Sequence, residues 1–137
     1  MSELLRQIMQ IGVIVEKFKN KIMINGFENY TEKLNEYESL ELLPEIKKIL
    51  SVRIGENKAI LSYDIKYLLI TSGYENITTP RIRKIINHIR INGLIVNLIA
   101  GKKGYWIEEN ADKRRQYVIS IHQRASAMFG ILKNIEI

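Results

Sequence analysis

Between Thr79 and Gly93 the sequence leaves the chain little choice of fold. Ile82, Ile85, Ile86 and Ile89 recur at helical spacing in a segment that begins Thr79-Pro80 and ends Asn92-Gly93. Threonine serves as a cap, proline fits the first helical position, and Asn-Gly ends a helix. The segment is therefore predicted to be a helix whose isoleucine stripe packs on a core. On a wheel of about 100° per residue, Lys84 and Asn87 then point outward, Arg83 and Arg90 lie on one flank, and Arg81 and His88 lie on the other. From Arg81 to Lys103 there are six Lys/Arg residues and no Asp or Glu, against a net charge of +6 for the whole chain. Solvated helices usually mix signs, so this acid-free run points to a polyanion, for which duplex DNA is the commonest partner.

Two strands are predicted after this helix, Leu94–Ala100 and Tyr105–Glu109. The intervening Gly101-Lys102-Lys103-Gly104 has the glycine content of a hairpin turn. Before the basic helix, Pro44 is expected to open a helix with Ile46, Ile49 and Leu50 on its buried stripe. A Gly55-Glu56-Asn57 turn leads to Ala59-Ile60-Leu61, an apolar run too short for a helix and suited to a strand. Ser62 is expected to cap the next helix, with Asp64 in its first turn, Ile65, Leu68 and Leu69 facing inward, and Gly73 stopping it.

The order helix, short strand, helix, basic helix, two strands over residues 43–109 resembles the winged helix-turn-helix superfamily. The local sequences Arg83-Lys84-Ile85-Ile86-Asn87-His88-Ile89-Arg90-Ile91-Asn92-Gly93 and Lys103-Gly104-Tyr105-Trp106-Ile107 are similar to those of small phage and bacterial regulators or replication proteins. The connection from Ser72 to Ile77 is longer than the tight turn of a strict helix-turn-helix. The resemblance implies a mainly α (α+β) fold, a winged helix-turn-helix at 43–110 with a β-hairpin wing, flanked by an N-terminal helical extension (1–42) and a C-terminal helix (111–137).

Leu4, Ile8, Ile11, Val15, Phe18 and Ile22 fall at spacings of 4, 3, 4, 3 and 4, a narrow seam on one helix face. Gly12 within it costs up to ~1 kcal/mol relative to Ala, so packing must hold that helix. Val118, Ile121, Ala125, Met128 and Leu132 repeat in the same way near the C-terminus. Each seam either lies on its own domain's core or forms a helix-to-helix dimer interface. Winged-helix dimers often pair through helices added at both ends, so the resemblance makes Leu4, Ile8, Ile11, Val15, Phe18, Ile121 and Met128 candidates for dimerisation. Residues 28–45 carry Glu28, Glu32, Glu36, Glu38, Glu41 and Glu45 against Lys33 alone. This acidic amphipathic stretch is expected to lie away from any DNA-facing surface, since carboxylates and phosphates repel.

Within the basic stretch, Arg83 and Asn87 are the expected base readers: guanidinium grips guanine bidentately and an asparagine amide matches adenine. Thr79, Arg81, Lys84, His88 and Arg90 complete the helix's contact set, largely toward phosphates, and Lys102 and Lys103 at the hairpin tip reach the neighbouring backbone or minor groove. Tyr105 and Trp106 are adjacent in one strand and face opposite ways, so at most one is outward; Trp106 is expected to be a core anchor rather than a stacking platform.

No catalytic constellation emerges. His88 and His122 lack metal-motif spacing, no cysteine joins them, and the glycine-lysine turn precedes a strand instead of the helix a P-loop needs. Neither a catalytic residue, a metal site nor a cofactor is expected. Absence of cysteine suits a reducing compartment, and Leu4–Val15 reads as neither signal peptide nor membrane span. The expectation is a cytoplasmic DNA-binding homodimer (in host cytoplasm if phage-encoded), acting as a small transcriptional regulator. Alternatives are a phage or plasmid replication or maintenance factor, and an interaction module that docks a host, replication or transcription protein without acting through DNA.

Overall fold

The computed structural model describes Arg6 and residues 33–136, and the chain divides into two compact units, Thr31–Ala111 and a second made of Met1–Tyr30 with Asp112–Ile137. The N-terminal seam from Leu4 to Phe18 lies outside the described residues. Mainly helical, the described chain carries one two-stranded antiparallel hairpin.

The first helix, α1 (Leu43–Ser51), does not begin at Pro44 as its sequence suggests: the chain is already helical from Glu36, through a π-helical turn at Glu38–Leu42. A proline ring clashes with the carbonyl four residues back and lacks an N–H. The wide turn, closed by the Leu43 N–H on the Glu38 carbonyl, lets the helix pass Pro44 without breaking. Helix entry is instead set by Asn35. Its Oδ1 accepts from the Glu38 N–H at 2.8 Å while a Glu38 carboxylate oxygen accepts from the Asn35 N–H at 2.9 Å, a reciprocal capping box. Leu42, Ile46 and Leu50 are fully buried on the inward face, with Ile49 partly so.

A short 3₁₀ turn, Glu56–Lys58, leads to Ile60, which forms a single antiparallel bridge with Tyr105 where a short strand was expected. α2 (Ser62–Thr71) starts immediately afterwards and leaves no room for more pairing. Its cap position is Leu61, with extended backbone, so Ser62 is the first helical residue and its hydroxyl does not cap. Ile65 and Leu69 are buried; Leu68, expected inward, is 38% exposed because one helical face accommodates the Ile65–Leu69 pair and turns its neighbour away. Gly73, at φ +95°, ends the helix: the Tyr74 N–H bonds the Leu69 carbonyl and the Gly73 N–H bonds that of Ile70.

α3 (Thr79–Ile91) is capped by Thr78, one residue earlier than expected, since Thr78 holds extended backbone and its Oγ1 accepts the Arg81 N–H at 3.3 Å. Ile82, Ile85, Ile86 and Ile89 are each 0% exposed, as their spacing requires. Burying each contributes on the order of 1.5–3 kcal/mol. The Leu94 N–H on the Ile89 carbonyl closes the helix at Asn92-Gly93.

That closure, with Asn97 at φ +65°, keeps Leu94–Asn97 out of the sheet, so β1 is shorter than predicted. β1 (Leu98–Gly101) pairs with β2 (Gly104–Ile107) from Leu98 opposite Ile107 to Gly101 opposite Gly104. The loop is therefore Lys102-Lys103 alone. Leu98 joins the core formed by α1, α2 and α3, and Tyr105 and Ile107 pack against it. Ile99 and Trp106, paired on the other face, are also buried, at 8% and 7% exposure. In the second unit, α4 (Ala111–Leu132) has no fully buried residue.

Candidate nucleic-acid interface

With its isoleucines held inward, α3 turns Arg83 and Asn87 to solvent, one helical turn apart. The Arg83 guanidinium donates to Thr79 Oγ1 at 3.3 Å, a neutral bond that steadies the side chain without discharging it. Arg90 and His88 are half-buried. His88 Nδ1 lies 3.4 Å from Asn92 Nδ2, and that amide also donates to the His88 carbonyl at 2.8 Å. His88 thus belongs to the end of the helix as much as to its outward face.

Arg81 and Lys84 are engaged differently. Both meet Glu38, which is 2% exposed although it comes from the acidic stretch expected to keep its distance. Lys84 Nζ lies 2.7 Å from one carboxylate oxygen and Arg81 Nε lies 3.1 Å from the other. Arg81 Nη1 also donates to the Asn76 carbonyl at 2.6 Å, and its guanidinium sits 5.7 Å from the centre of the Tyr37 ring. Tyr37 Oη in turn donates to the Glu75 carbonyl at 2.7 Å. The long connection between α2 and α3 is thereby tied to the start of the first helix. Burial raises the Glu38 pKa, but hydrogen bonds from Lys84, the Asn35 N–H and Arg81, together with the Lys84 charge, bring it below the usual carboxylate range. Two cations from the basic helix are thus partly neutralised within the fold. No pattern within the basic stretch foretells this; the nearest signal is the Asn35-x-x-Glu38 spacing, which marks a helix entry but not the burial of Glu38.

At the hairpin, Lys102 and Lys103 are exposed, and Lys103 Nζ lies 3.9 Å from a Glu56 carboxylate oxygen. Such an exposed, long pair holds the lysine weakly. The Trp106 ring lies against Gly101, and Trp106 Nε1 donates to the buried Glu108 carboxylate at 3.2 Å. This burial closes the Trp106 faces to base stacking, in line with its reading as an anchor.

An open cleft of about 420 Å³ is lined by Tyr37, Glu41, Gly73, Tyr74, Glu75 and Asn76. Burial, then the charges of Glu45 and Glu41, push the Tyr74 phenol up, so this concavity is unsuited to an anion. Among the described residues no group of three His, Cys, Asp or Glu side chains is arranged to hold a metal, and no helix is long and apolar enough to cross a membrane.

No protein-family model, curated protein or solved structure matches the chain.

Proposed function

We propose that residues 43–110 form a winged helix-turn-helix and that the chain binds double-stranded DNA as a small transcriptional regulator. In this reading α3 enters the major groove, Arg83 and Asn87 read base edges, and Lys102 and Lys103 grip the backbone from the wing. One observation carries the reading: the helix whose isoleucine stripe is completely buried turns Arg83 and Asn87 outward in a stretch free of acid from Arg81 to Lys103. The helix order and the bridge from Ile60 to the hairpin support it. A replication or maintenance factor would use the same surface. No catalytic step, metal or cofactor is assigned. α4 leaves Ile121 and Met128 40% and 58% exposed, which supports pairing of two copies through that helix.

A second reading, docking to another protein, is favoured by α2, where Tyr63 and Tyr67 are 69% and 64% exposed beside Leu61 and Ile70. Salt dependence separates the two. DNA binding gives log affinity falling linearly with log salt, with a slope of about −0.9 per phosphate contacted. Absence of any association with mixed-sequence duplex at low salt would refute the DNA reading and leave docking ahead.

A further inference from the structure

We infer that Glu38 is a specificity-determining residue: an internal counter-ion that withholds Lys84 from phosphates, so that α3 discriminates by Arg83 and Asn87 instead of gripping every duplex alike. The inference rests on the proposed DNA reading.

Its ground is the unequal treatment of the cations on one helix. Lys84 and Arg83 are neighbours in sequence and the helical wheel points Lys84 outward, yet Lys84 bends to a carboxylate that is 2% exposed, at 2.7 Å. Arg81 is fastened three ways, to Glu38, Asn76 and the Tyr37 ring. Among the described residues Arg83 donates to the Thr79 hydroxyl at 3.3 Å and makes no ion pair, so that bond leaves its charge uncompensated. A buried carboxylate cannot follow a cation outward, because both its oxygens and its place in the Asn35 capping box hold it. Lys84 therefore reaches a phosphate only by leaving Glu38 as a poorly compensated buried charge. Phosphate contacts add affinity without sequence information, so withholding one lowers binding to random duplex while base contacts are untouched.

The isostere Glu38→Gln keeps an oxygen for the Asn35 N–H and removes the charge. The test is a two-by-two set, wild type, Glu38→Gln, Lys84→Ala and the double variant, each titrated on random duplex between 50 and 200 mM salt. The expected result is that Glu38→Gln steepens the slope of log affinity against log salt by about 0.9, a further ~3-fold loss across that range. Lys84→Ala should remove that increment in the Glu38→Gln background and change the wild-type slope little. A merely structural role for Glu38 would alter melting temperature and leave the slope alone. If Lys84→Ala flattens the slope by about 0.9 in both backgrounds, Lys84 already grips phosphate and the inference is overturned. Should Glu38→Gln fail to fold, the wild-type pair decides by the same criterion. A wild-type protein that binds no duplex overturns the DNA reading itself, and this inference with it.

Discussion

Replacing Gly104 by alanine should be among the most damaging single changes in the chain, although it adds one methyl group. At φ +111°, Gly104 occupies a backbone conformation that L-residues rarely adopt, and a Cβ there would stand 2.1 Å from the Ile60 carbonyl oxygen and 2.4 Å from its carbon. Those atoms are main chain and cannot rotate aside. Relief requires Ile60 and β2 to part by roughly an ångström, which takes the Ile60–Tyr105 hydrogen bonds, now 3.0 and 2.9 Å, beyond bonding range. The positive φ costs about 1–2 kcal/mol and each lost bond about 1, for a sum of about 3–4 kcal/mol. For a domain of this size that lowers Tm by at least roughly 12 °C. Gly93→Ala is the matched control: φ is +63° but nothing lies within 4 Å, so only the backbone strain of ~1 kcal/mol remains. The assay is urea unfolding followed by Trp106, the sole tryptophan, which sits in β2. Equal losses for the two variants would refute the direct contact between the hairpin and Ile60.

Three further outcomes are expected. Arg83→Ala or Asn87→Ala should relax preference at particular bases by ~1–3 kcal/mol, while Lys102→Ala with Lys103→Ala should weaken all duplexes alike and flatten the salt slope; selection from random duplex with each variant checks this, and a wing variant that alters preference would displace α3 as the reading element. Because the Glu38 pKa is lowered in the fold, its contribution to stability is complete above the ordinary carboxylate pKa and is lost as pH falls through the folded value, so in acid titrations of melting temperature Glu38→Gln should show less loss than wild type over that window; identical profiles would count against the ion cluster. Native protein should sediment as a dimer and Ile121→Glu with Met128→Glu should bring it toward 16.0 kDa with the helix content kept, whereas a wild-type monomer would remove the pairing of α4.

Where residues act on their own neighbours, local pattern was enough to foretell the outcome. The Ile82, Ile85, Ile86 and Ile89 stripe is buried in full, Gly73 and Gly93 end their helices, and the Gly101-Lys102-Lys103-Gly104 turn joins two antiparallel strands. Helical period, positive φ and hairpin geometry are local properties of a few consecutive residues. Boundaries moved by a residue at Thr78 and Leu61 because caps depend on backbone angles, which residue type alone does not reveal. Tertiary structure alone decided which charges are spent inside the fold. Glu38 lies 43 residues from Arg81 and 46 from Lys84, and nothing in the spacing of the acidic stretch marks one glutamate of six as buried. Packing of α1 against α3 brings that carboxylate to the basic helix, and a charge removed from water must find partners; Arg81 and Lys84 are the ones within reach.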